Sequence, residues 1–451
     1  MNEKLKAFKA DLKNKQICVV GIGISHLPLI HYLAKNGAKV TACDRKNYET
    51  LGETAKELEA LGVRLCLGEG YLSSLSGDVI FKTPGLRPDI PELLQAEKEG
   101  CRVTTEMEVF MELCPAPITA ITGSDGKTTT TTLVYKLLSM AGFTTHVGGN
   151  IGAPLLPEID KICETDRVVL ELSSFQLMTM KQSPKTAIVT NITPNHLDYH
   201  KDYQEYIDAK LNIFSHQSEN DLVILNLDNP VTADCTNKAK GRVVTFSRKQ
   251  KADIWLDGNI IKAFDEPVLD IRDIKIPGMH NVENYMAAIG AVYGDVKKET
   301  ITDCAKNFGG VAHRIEFVRE IDGVRYYNSS IDSSPNRTIN TLKVFSEPVV
   351  LIAGGKDKGI PYDDLGPALA DGVKALVLIG ATAKIIGEVA KTAAPHVPVF
   401  YEDTYENAVL TAKKQASAGD VVLLSNASTS FDLFKNFEER GNLFKELVNR
   451  L

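Results

Sequence analysis

The stretch ITAITGSDGKTTT, residues 118–130, decides the fold of this chain. Its first half is apolar and β-branched and predicts a strand, while residues 129–140 predict a helix. A loop bounded by two glycines lies between them and delivers Lys127 and Thr128. Strand, glycine loop, Lys-Thr pair and helix form a phosphate-binding layout, in which backbone amides and the lysine hold phosphates and the threonine hydroxyl can hold Mg²⁺.

This loop is shorter than the standard phosphate-binding motif. The standard form has a glycine six positions before the lysine, where this chain has Ile121. On these residues alone, an ordinary strand-to-helix turn that contains Gly-Lys-Thr therefore stays an alternative.

The length, composition and net charge of the chain limit the classes of protein to which it can belong. The chain has 451 residues, 43% hydrophobic and 24% charged, with a net charge of −7. These values predict a soluble globular protein of two to four domains and argue against a general binder of nucleic acid or membrane surfaces. No apolar run reaches the length of a membrane span, and none of signal-peptide type opens the sequence. The eight cysteines form no Cys-x-x-Cys pair, which predicts reduced cytosolic thiols.

The N-terminal part has a second glycine loop. Gly21 and Gly23 follow the predicted strand 15–20 and precede the predicted helix 27–36, and Asp44 ends the next predicted strand. This is the layout of nucleotide-binding α/β domains, although the expected third glycine is replaced by a histidine. A nucleotide site is expected here; an NAD-dependent oxidoreductase and a sheet turn without ligand are the alternatives.

Polar residues in the middle of the chain mark candidate site positions. Glu171 lies in a strand-like run, and a buried glutamate is rare unless it is paired or metal-bound, so a solvated edge is the other reading. His196 follows the strand-like run 187–192, at the end of a strand where open α/β sheets bind ligands, and a structural histidine is the alternative. Asn150 lies in a glycine-rich loop that could contact a ligand, and a plain turn is the alternative.

The rest of the chain predicts more α/β structure. Turn signals within residues 247–276 predict a small antiparallel excursion. Apolar runs alternate with helical stretches after residue 313, which predicts a parallel sheet wrapped by helices and a last helix over residues 431–450. We predict domains at residues 1–105, 106–310 and 311–451.

The motifs together resemble those of the Mur ligase family. The matching stretches, in the family's order, are residues 122–128, 171–176, 195–198, 279–284 and 313–314. The resemblance covers nearly the whole chain. It implies a cytoplasmic, ATP-dependent, amide-forming enzyme of peptidoglycan synthesis. The implied fold is α/β with an N-terminal Rossmann-like domain, a central P-loop ATP-binding domain with a mostly parallel sheet, and a C-terminal Rossmann-like domain.

Residues 430–441, SFDLFKNFEERG, resemble the branch of the family that adds D-glutamate. The implied substrates are ATP, UDP-N-acetylmuramoyl-L-alanine and D-glutamate, joined through an acyl phosphate. A monomer with no nucleic-acid partner and no membrane insertion is expected. Another peptide-adding Mur ligase, a folylpolyglutamate synthase-like ligase and a catalytically silent nucleotide-binding regulator are the alternatives.

The resemblance also implies roles for individual residues. Lys127, Glu171, His196 and Lys210 are the implied catalytic residues. The implied ATP-binding residues are Gly123, Ser124, Asp125, Gly126, Lys127, Thr128, Thr129, Asn281, Asn284 and Arg314. The implied Mg²⁺ ligands are Thr128 and Glu171 for one ion and His196 for a second, and a carbamate that CO₂ forms on Lys210 is implied to position Mg²⁺ or the substrate. The implied substrate-binding residues are Ser25, Asp44, Thr83 and Asn150 for the UDP-sugar, Lys358, Ser430, Phe437 and Ser333 for D-glutamate, and Ser173.

One stretch departs from the family pattern. After the strand that ends near residue 327, the best-known pattern is Asn-Asp-Ser-Lys-Ala-Thr-Asn, whereas this chain has Ser329 in place of the acid and Ile331 in place of the lysine. Isoleucine cannot supply a cation near the transferring phosphate. Arg337 is the nearest following cation, and a turn at Pro335 could fold it back. We therefore predict that Arg337 replaces the lysine, with a surface role for Arg337 as the alternative.

Overall fold

The computed structural model of this chain describes residues 3–23, 25–73 and 75–451. Its strands form three sheets of five, nine and six strands, separated along the sequence. The chain divides into two compact units: one extends to Ile271 and includes Glu283–Cys304, and the other comprises Arg272–Val282 and Ala305–Leu451. The predicted α/β class with mostly parallel sheets is confirmed.

The N-terminal sheet is entirely parallel and has the order β3-β2-β1-β4-β5. Its strands are β1 (Gln16–Val20), β2 (Lys39–Asp44), β3 (Arg64–Leu67), β4 (Val79–Lys82) and β5 (Arg102–Thr104), and its helices are α1 (Glu3–Leu12), α2 (His26–Lys35), α3 (Tyr48–Leu51), α4 (Glu53–Ala60) and α5 (Pro91–Lys98). From β1 the chain first adds β2 and β3 on one side of the sheet and then adds β4 and β5 on the other side, so the topological switch point lies between β1 and β4. Open α/β sheets bind ligands at such a switch point, beyond the carboxyl ends of the strands.

The central sheet has the order β14-β13-β12-β11-β10-β9-β6-β8-β7. Its strands are β6 (Ile118–Thr122), β7 (Thr145–Gly149), β8 (Arg167–Glu171), β9 (Thr186–Val189), β10 (Leu222–Asn226), β11 (Arg242–Ser247), β12 (Ile254–Asp257), β13 (Ile260–Ala263) and β14 (Glu266–Asp270). Strands β6–β12 pair in parallel, whereas β12, β13 and β14 pair antiparallel, which confirms the predicted excursion.

The central part of the chain also contains helices, several of which pack on the sheet. They are α6 (Glu106–Leu113), α7 (Lys127–Met140), α8 (Ser174–Leu177), α9 (Tyr203–Ser215), α10 (Pro230–Ala233), α11 (Met279–Val292) and α12 (Lys298–Asn307), with 3₁₀ helices at Leu156–Lys161 and Ile271–Asp273. Strands β6 and β8 to β10 are apolar and mostly buried, as expected for a parallel sheet covered on both faces. The helix predicted for residues 129–140 is confirmed and begins two residues earlier.

The third sheet lies in the second unit and has the order β15-β16-β20-β17-β18-β19. Its strands are β15 (Glu316–Ile321), β16 (Val324–Asn328), β17 (Val349–Ala353), β18 (Val373–Ile379), β19 (Val399–Glu402) and β20 (Val421–Leu424), and its helices are α13 (Pro335–Leu342), α14 (Leu365–Gly372), α15 (Ala383–Ala393), α16 (Tyr405–Gln415) and α17 (Phe437–Asn449). Only β15 is antiparallel to its neighbour.

The start predicted for the last helix is wrong. Residues 431–436 are not helical, and α17 begins at Phe437. The side chain of Asn436 accepts a hydrogen bond from the Glu439 amide at 2.8 Å and caps the helix there, because asparagine prefers to satisfy a free helix amide rather than continue the helix.

Helix α6 joins the N-terminal and central parts of the first unit. It begins with a capping box, in which Thr105 accepts from the Glu108 amide and Glu108 accepts from the Thr105 amide. Glu106, buried in its first turn, accepts a hydrogen bond from the Leu156 amide at 2.8 Å. One apolar core continues on both sides of this helix. No helix of the described residues is long and apolar enough to cross a bilayer.

Burial raises the pKa of Glu106 to about 7. A raised pKa means that this group contributes stability below its unfolded-state value and that the contribution is lost as the pH rises through about 7. We expect Glu106→Gln, which keeps the acceptor for Leu156, to become more stable than the wild type as the pH is raised from 5 to 8, by up to about 3 kcal/mol.

Thermal unfolding at both pH values measures this effect. Glu97→Gln, at an exposed position of α5, controls for the removal of one negative charge. A melting-temperature difference between Glu106→Gln and wild type that does not change with pH would contradict the burial argument.

Candidate functional site

The loop between β6 and α7 has a backbone that only glycine fits at two positions. Gly123 has φ +151° and Gly126 has φ +78°. A Cβ atom at Gly123 would collide with the Thr190 side chain, and one at Gly126 would collide with the amide oxygen of Asn284. The predicted strand, glycine loop and helix are therefore present, with the amino end of α7 directed toward the loop.

Hydrogen bonds fix this loop to the residues that follow β9. The Ser124 hydroxyl donates to the Thr193 carbonyl at 2.9 Å and lies 2.8 Å from the Tyr206 hydroxyl. The Asp125 amide donates to the Asn191 side chain at 2.9 Å. The loop is thus held at the carboxyl edge of the sheet, where β9 and β8 flank β6.

Two lysine amines share one acceptor in this loop. Lys127 Nζ and Lys210 Nζ each donate to the Gly123 carbonyl at 2.8 Å, so the amines lie within two hydrogen-bond lengths of each other. Lys210 is 2% exposed, although its position on a helix is one where lysines are usually solvated. Burial, together with the charge of Lys127, lowers the pKa of Lys210 to about 6.

Glu171 ends β8 and is buried, as the sequence predicted for a paired or metal-bound glutamate. Its Oε1 accepts from the Asn150 side chain at 2.8 Å. Its Oε2 is buried and has no hydrogen-bond partner among the described residues. An unpartnered buried carboxylate oxygen is costly unless a cation meets it, so this oxygen fits a Mg²⁺ ligand.

His196 lies at an exposed turn, with φ +53° and its ring 5.0 Å from that of Phe175. Partial desolvation lowers the pKa of His196, and the charges of Lys210 and Lys127 lower it further against that of Asp198. A neutral imidazole can donate a lone pair to a metal. The described residues contain no group of three His, Cys, Asp or Glu side chains that could hold a metal by themselves.

The remaining ATP candidates lie in both units. Thr128 and Thr129 lie half-buried in the first turn of α7, and the Thr130 hydroxyl donates to Asn284 at 3.2 Å in the first unit. Asn281 and Arg314 belong to the second unit, where the Asn281 side chain donates to the Pro277 carbonyl at 2.6 Å.

The UDP-sugar candidates of the N-terminal part surround the Gly21 loop. Both carboxylate oxygens of Asp44 accept backbone amides, from Ile22 at 2.6 Å and from Lys46 at 2.8 Å. Thr83 lies where a Cβ atom on Gly21 would touch it, at 3.5 Å, and Ser25 is exposed just before α2. Asp44 thus shapes the loop directly.

Ser173 and the candidate residues for binding D-glutamate differ in how deeply they are buried. The Ser173 hydroxyl caps α8 by accepting the Gln176 amide at 3.3 Å. In the second unit, Ser430 is buried, Lys358 is exposed, and Ser333 and Phe437 are half-buried.

Arg440 is a residue that the sequence reasoning missed. It is fully buried and donates to the Ser330 carbonyl at 2.8 Å, the Ser330 hydroxyl at 3.0 Å and the Ser428 carbonyl at 3.1 Å. The Ser330 hydroxyl in turn donates to the Phe437 carbonyl at 2.8 Å. Arg440 therefore joins the segments that carry Ser430, Phe437 and the departure from the family pattern. An arginine in a helix gives no sequence signal of such burial.

Arg337 is exposed, and its guanidinium donates to the Ile331 carbonyl at 3.1 Å. Pro335 begins α13, and the chain before it turns so that Arg337 returns toward the residue that replaces the family lysine.

Three family models match this chain. They are the MurD-like N-terminal domain of Mur ligases over residues 15–105, the Mur ligase middle domain over residues 121–292, and the Mur ligase glutamate ligase domain over residues 313–427.

Relatives match the chain over its full length. It is 54% identical to the UDP-N-acetylmuramoylalanine–D-glutamate ligase of Ruminiclostridium cellulolyticum and 53% identical to that of Acetivibrio thermocellus, with 100% of each chain covered.

Among solved structures, the chain is similar to the UDP-N-acetylmuramate-alanine ligase MurC of Thermotoga maritima, with a TM-score of 0.59 and 20% identity over 97% of this chain and 100% of that one. It is also similar to a pseudomurein peptide ligase type C of Methanothermus fervidus, with a TM-score of 0.53 and 16% identity over 97% and 100%. These two similarities concern the fold alone. The matched domains and the full-length relatives agree with the phosphate-binding loop and its flanking residues, and the chain belongs to the Mur ligase family.

Proposed function

We infer that this protein is an ATP-dependent ligase that joins D-glutamate to UDP-N-acetylmuramoyl-L-alanine in peptidoglycan precursor synthesis. Relatives that bear this activity in their names are 54% and 53% identical to the chain from end to end. The geometric observation that carries the inference is the pair of lysine amines on the Gly123 carbonyl, beside the unpartnered Glu171 oxygen. That arrangement suits a nucleotide triphosphate and its metal.

The reaction explains why such a site is needed. A carboxylate oxygen is a poor leaving group, so the L-alanyl carboxylate attacks the γ-phosphorus of ATP, and ADP leaves. The amine of D-glutamate then attacks the carbonyl carbon of the acyl phosphate, loses a proton, and the tetrahedral intermediate expels phosphate. Each step moves negative charge between phosphate oxygens, and the enzyme must position the reactants and stabilise that charge.

The phosphate loop supplies the first part of that stabilisation. We propose that the amides of residues 123–129 and the Lys127 amine hold the outer phosphates of ATP, while Asn281, Asn284 and Arg314 bind the rest of the nucleotide. The Lys127 amine already lies against loop carbonyls of Gly123 and Ser124, at 2.8 and 2.9 Å, so it is preplaced within the loop.

Mg²⁺ fits the residues around Glu171. Thr128 and Glu171 would hold one ion, because they offer a hydroxyl and an unpartnered carboxylate oxygen, and the neutral imidazole of His196 would hold a second. Bound there, Mg²⁺ would neutralise phosphate charge.

Lys210 is proposed to carry a carbamate. Only a neutral amine attacks CO₂, forming an N–C bond and releasing a proton. A solvated lysine with a pKa of about 10.4 is almost fully protonated at pH 7, whereas Lys210 has a pKa lowered to about 6. The carbamate would place an anionic oxygen beside the Lys127 amine.

We further propose that residues 1–105 bind the UDP-sugar, residues 106–310 bind ATP, and residues 311–451 bind D-glutamate. Ser25, Asp44, Thr83 and Asn150 serve the sugar nucleotide, Ser333, Lys358, Ser430 and Phe437 serve D-glutamate, and Ser173 contacts substrate. The protein would act as a monomer in the cytoplasm, where ATP and nucleotide-linked sugars are made.

An NAD-dependent oxidoreductase is disfavoured by the histidine that replaces the third glycine of the N-terminal loop and by the ATP-type loop of residues 122–128. Phosphate release from ATP with UDP-N-acetylmuramoyl-L-alanine, with and without D-glutamate, tests the function. Competition among amino acids in that assay separates this ligase from related ones. Phosphate release that does not depend on D-glutamate would overturn the assignment.

Lys127→Ala should lower kcat by at least about 100-fold and leave the fold intact, because it removes a preplaced cation from the outer phosphates. Phosphate release and circular dichroism measure the two effects. Lys136→Ala, at an exposed position of the same helix, is the matched control and should turn over normally. Near-normal turnover of folded Lys127→Ala would show that ATP binds elsewhere.

Lys210→Ala should be nearly inactive and partly rescued by small carboxylates such as acetate, which can replace the carbamate oxygens. With ¹³C-bicarbonate, the wild type should show a carbamate carbon resonance that Lys210→Ala lacks. Because the pKa of the folded-state amine is about 6, the amine takes up a proton as the pH falls through 6, and the resonance should decline there. An active wild type without the resonance at pH 8 would refute the modification.

Arg337→Ala should lower kcat about tenfold or more, and Arg337→Lys should retain most activity, if Arg337 supplies the cation missing at Ile331. KM for ATP and for D-glutamate is measured separately. Lys343→Ala, an exposed lysine at the end of the same helix, controls for loss of positive charge. If kcat and both KM values of Arg337→Ala differ from those of the wild type by less than about threefold, Arg337 has only a surface role.

A further inference from the structure

Arg87 connects the N-terminal and central parts of the first unit. It lies in the loop after β4, four residues beyond Thr83, and extends to residues more than a hundred positions later in the sequence. Its guanidinium donates to both carboxylate oxygens of Glu205 at 3.0 Å and to the Tyr199 carbonyl at 2.6 Å. Asp89, in the same loop, accepts at 2.8 and 2.9 Å and holds the guanidinium plane.

A second contact joins the same two segments. The Tyr199 hydroxyl donates to the Pro84 carbonyl at 3.2 Å, and the guanidinium of Arg87 lies 5.5 Å from the centre of the Tyr199 ring. The loop after β4 is therefore fixed through its backbone and through Arg87.

The segments at the far end of these contacts carry two residues of the candidate site. Tyr199 belongs to the turn of His196, whose carbonyl accepts the Tyr199 amide at 3.1 Å. Glu205 lies in the first turn of α9, the helix on which Lys210 reaches the Gly123 carbonyl. One guanidinium thus contacts both the His196 turn and the Lys210 helix.

The ion pair between Arg87 and Glu205 is partly shielded from solvent. The side chains of Arg87 and Glu205 are each 21% exposed. Hydrogen bonds from Arg87 lower the pKa of Glu205 to about 2, so the carboxylate stays charged across the working pH range. A two-pronged guanidinium–carboxylate contact fixes orientation as well as distance, which a lysine cannot do.

We propose that Arg87, through Glu205 and Tyr199, is a positioning residue that aligns the Thr83 loop with the His196 turn and the Lys210 helix. It touches no reacting atom. Because of this alignment, the sugar nucleotide held by the N-terminal part presents its carboxylate at a fixed place relative to the phosphate loop. This inference rests on the proposed function and adds a residue that it does not assign.

Steady-state kinetics of the full-length protein tests the inference. Arg87→Ala should raise KM for UDP-N-acetylmuramoyl-L-alanine by about fivefold or more, while KM for D-glutamate stays within about twofold. Glu205→Gln keeps the size of the side chain and should act in the same direction. The effects should be clearly less than additive in the double variant, because both changes break the Arg87–Glu205 contact, while Glu205 also accepts the Lys201 amide at 2.8 Å. Arg87→Lys should resemble Arg87→Ala.

The chain offers a matched control. Lys9 donates to Asp160 at 2.7 Å, and this ion pair, like that of Arg87 and Glu205, joins the N-terminal and central parts of the unit. Lys9 lies on α1, away from the candidate site. Lys9→Ala should leave every KM unchanged. An Arg87→Ala variant that loses only thermal stability, as Lys9→Ala could, would overturn the proposal. So would additive effects in the double variant or wild-type kinetics of Arg87→Lys.

Hydrogen–deuterium exchange separates this proposal from the proposed function. Arg87→Ala and Glu205→Gln should each speed exchange in peptides covering residues 83–90 and 196–206, and Lys9→Ala should not. This result does not depend on turnover, so an inactive wild type would count against the proposed function while the exchange data still decide the role of Arg87. Unchanged exchange in both peptides would overturn the coupling, whatever the kinetics.

Discussion

The carbonyl oxygen of Gly123 is the acceptor on which the candidate site depends. It receives the amines of Lys127 and Lys210, each at 2.8 Å, and it can do so only because the residue is glycine. A side chain at this position would collide with Thr190, and φ is +151°. A backbone constraint therefore brings two lysine amines together, and one of them, that of Lys210, is buried. Their proximity and the burial of Lys210 account for its lowered pKa, and hence for chemistry that an ordinary lysine lacks.

The sheet order explains why the other site residues gather around that carbonyl. Strand β6 lies between β9 and β8, and all three are parallel, so their carboxyl ends meet at one edge. The phosphate loop follows β6, Glu171 ends β8, and Asn191 follows β9. The same edge thus supplies the glycine loop, an unpartnered carboxylate oxygen and the amide that holds Asp125. Long-range strand pairing, more than any local motif, makes the site.

Local signals allowed much of this to be predicted. The β-branched run before Gly123, the glycine loop and the following helix depend on neighbouring residues, and the antiparallel excursion depends on turn residues near Asp257. Side chains with distant partners could not be predicted. Arg87 and Arg440 are of a residue type that is usually solvated in loops and helices, yet Arg87 donates to Glu205, 118 positions away, and Arg440 donates to Ser330, 110 positions away. The burial of Lys210 is of the same kind: without the family resemblance, its helix predicts a solvated lysine.

The charge of the site differs in sign from that of the whole chain. A net charge of −7 argues against a general binder of polyanions, whereas the ligase acts on ATP and a sugar nucleotide, both strongly anionic. The structure reconciles the two facts locally, because the Lys127 amine and the amino end of α7 meet at one loop, and the buried Glu171 carboxylate keeps an oxygen without a partner among the described residues. Charges this close to a phosphate outweigh dispersed surface charges that lie farther away, because Coulomb interactions fall with distance and are screened by salt. Selectivity for small anions over nucleic acid then follows from placing the positive charge at the four-residue loop between β6 and α7 rather than along an extended surface.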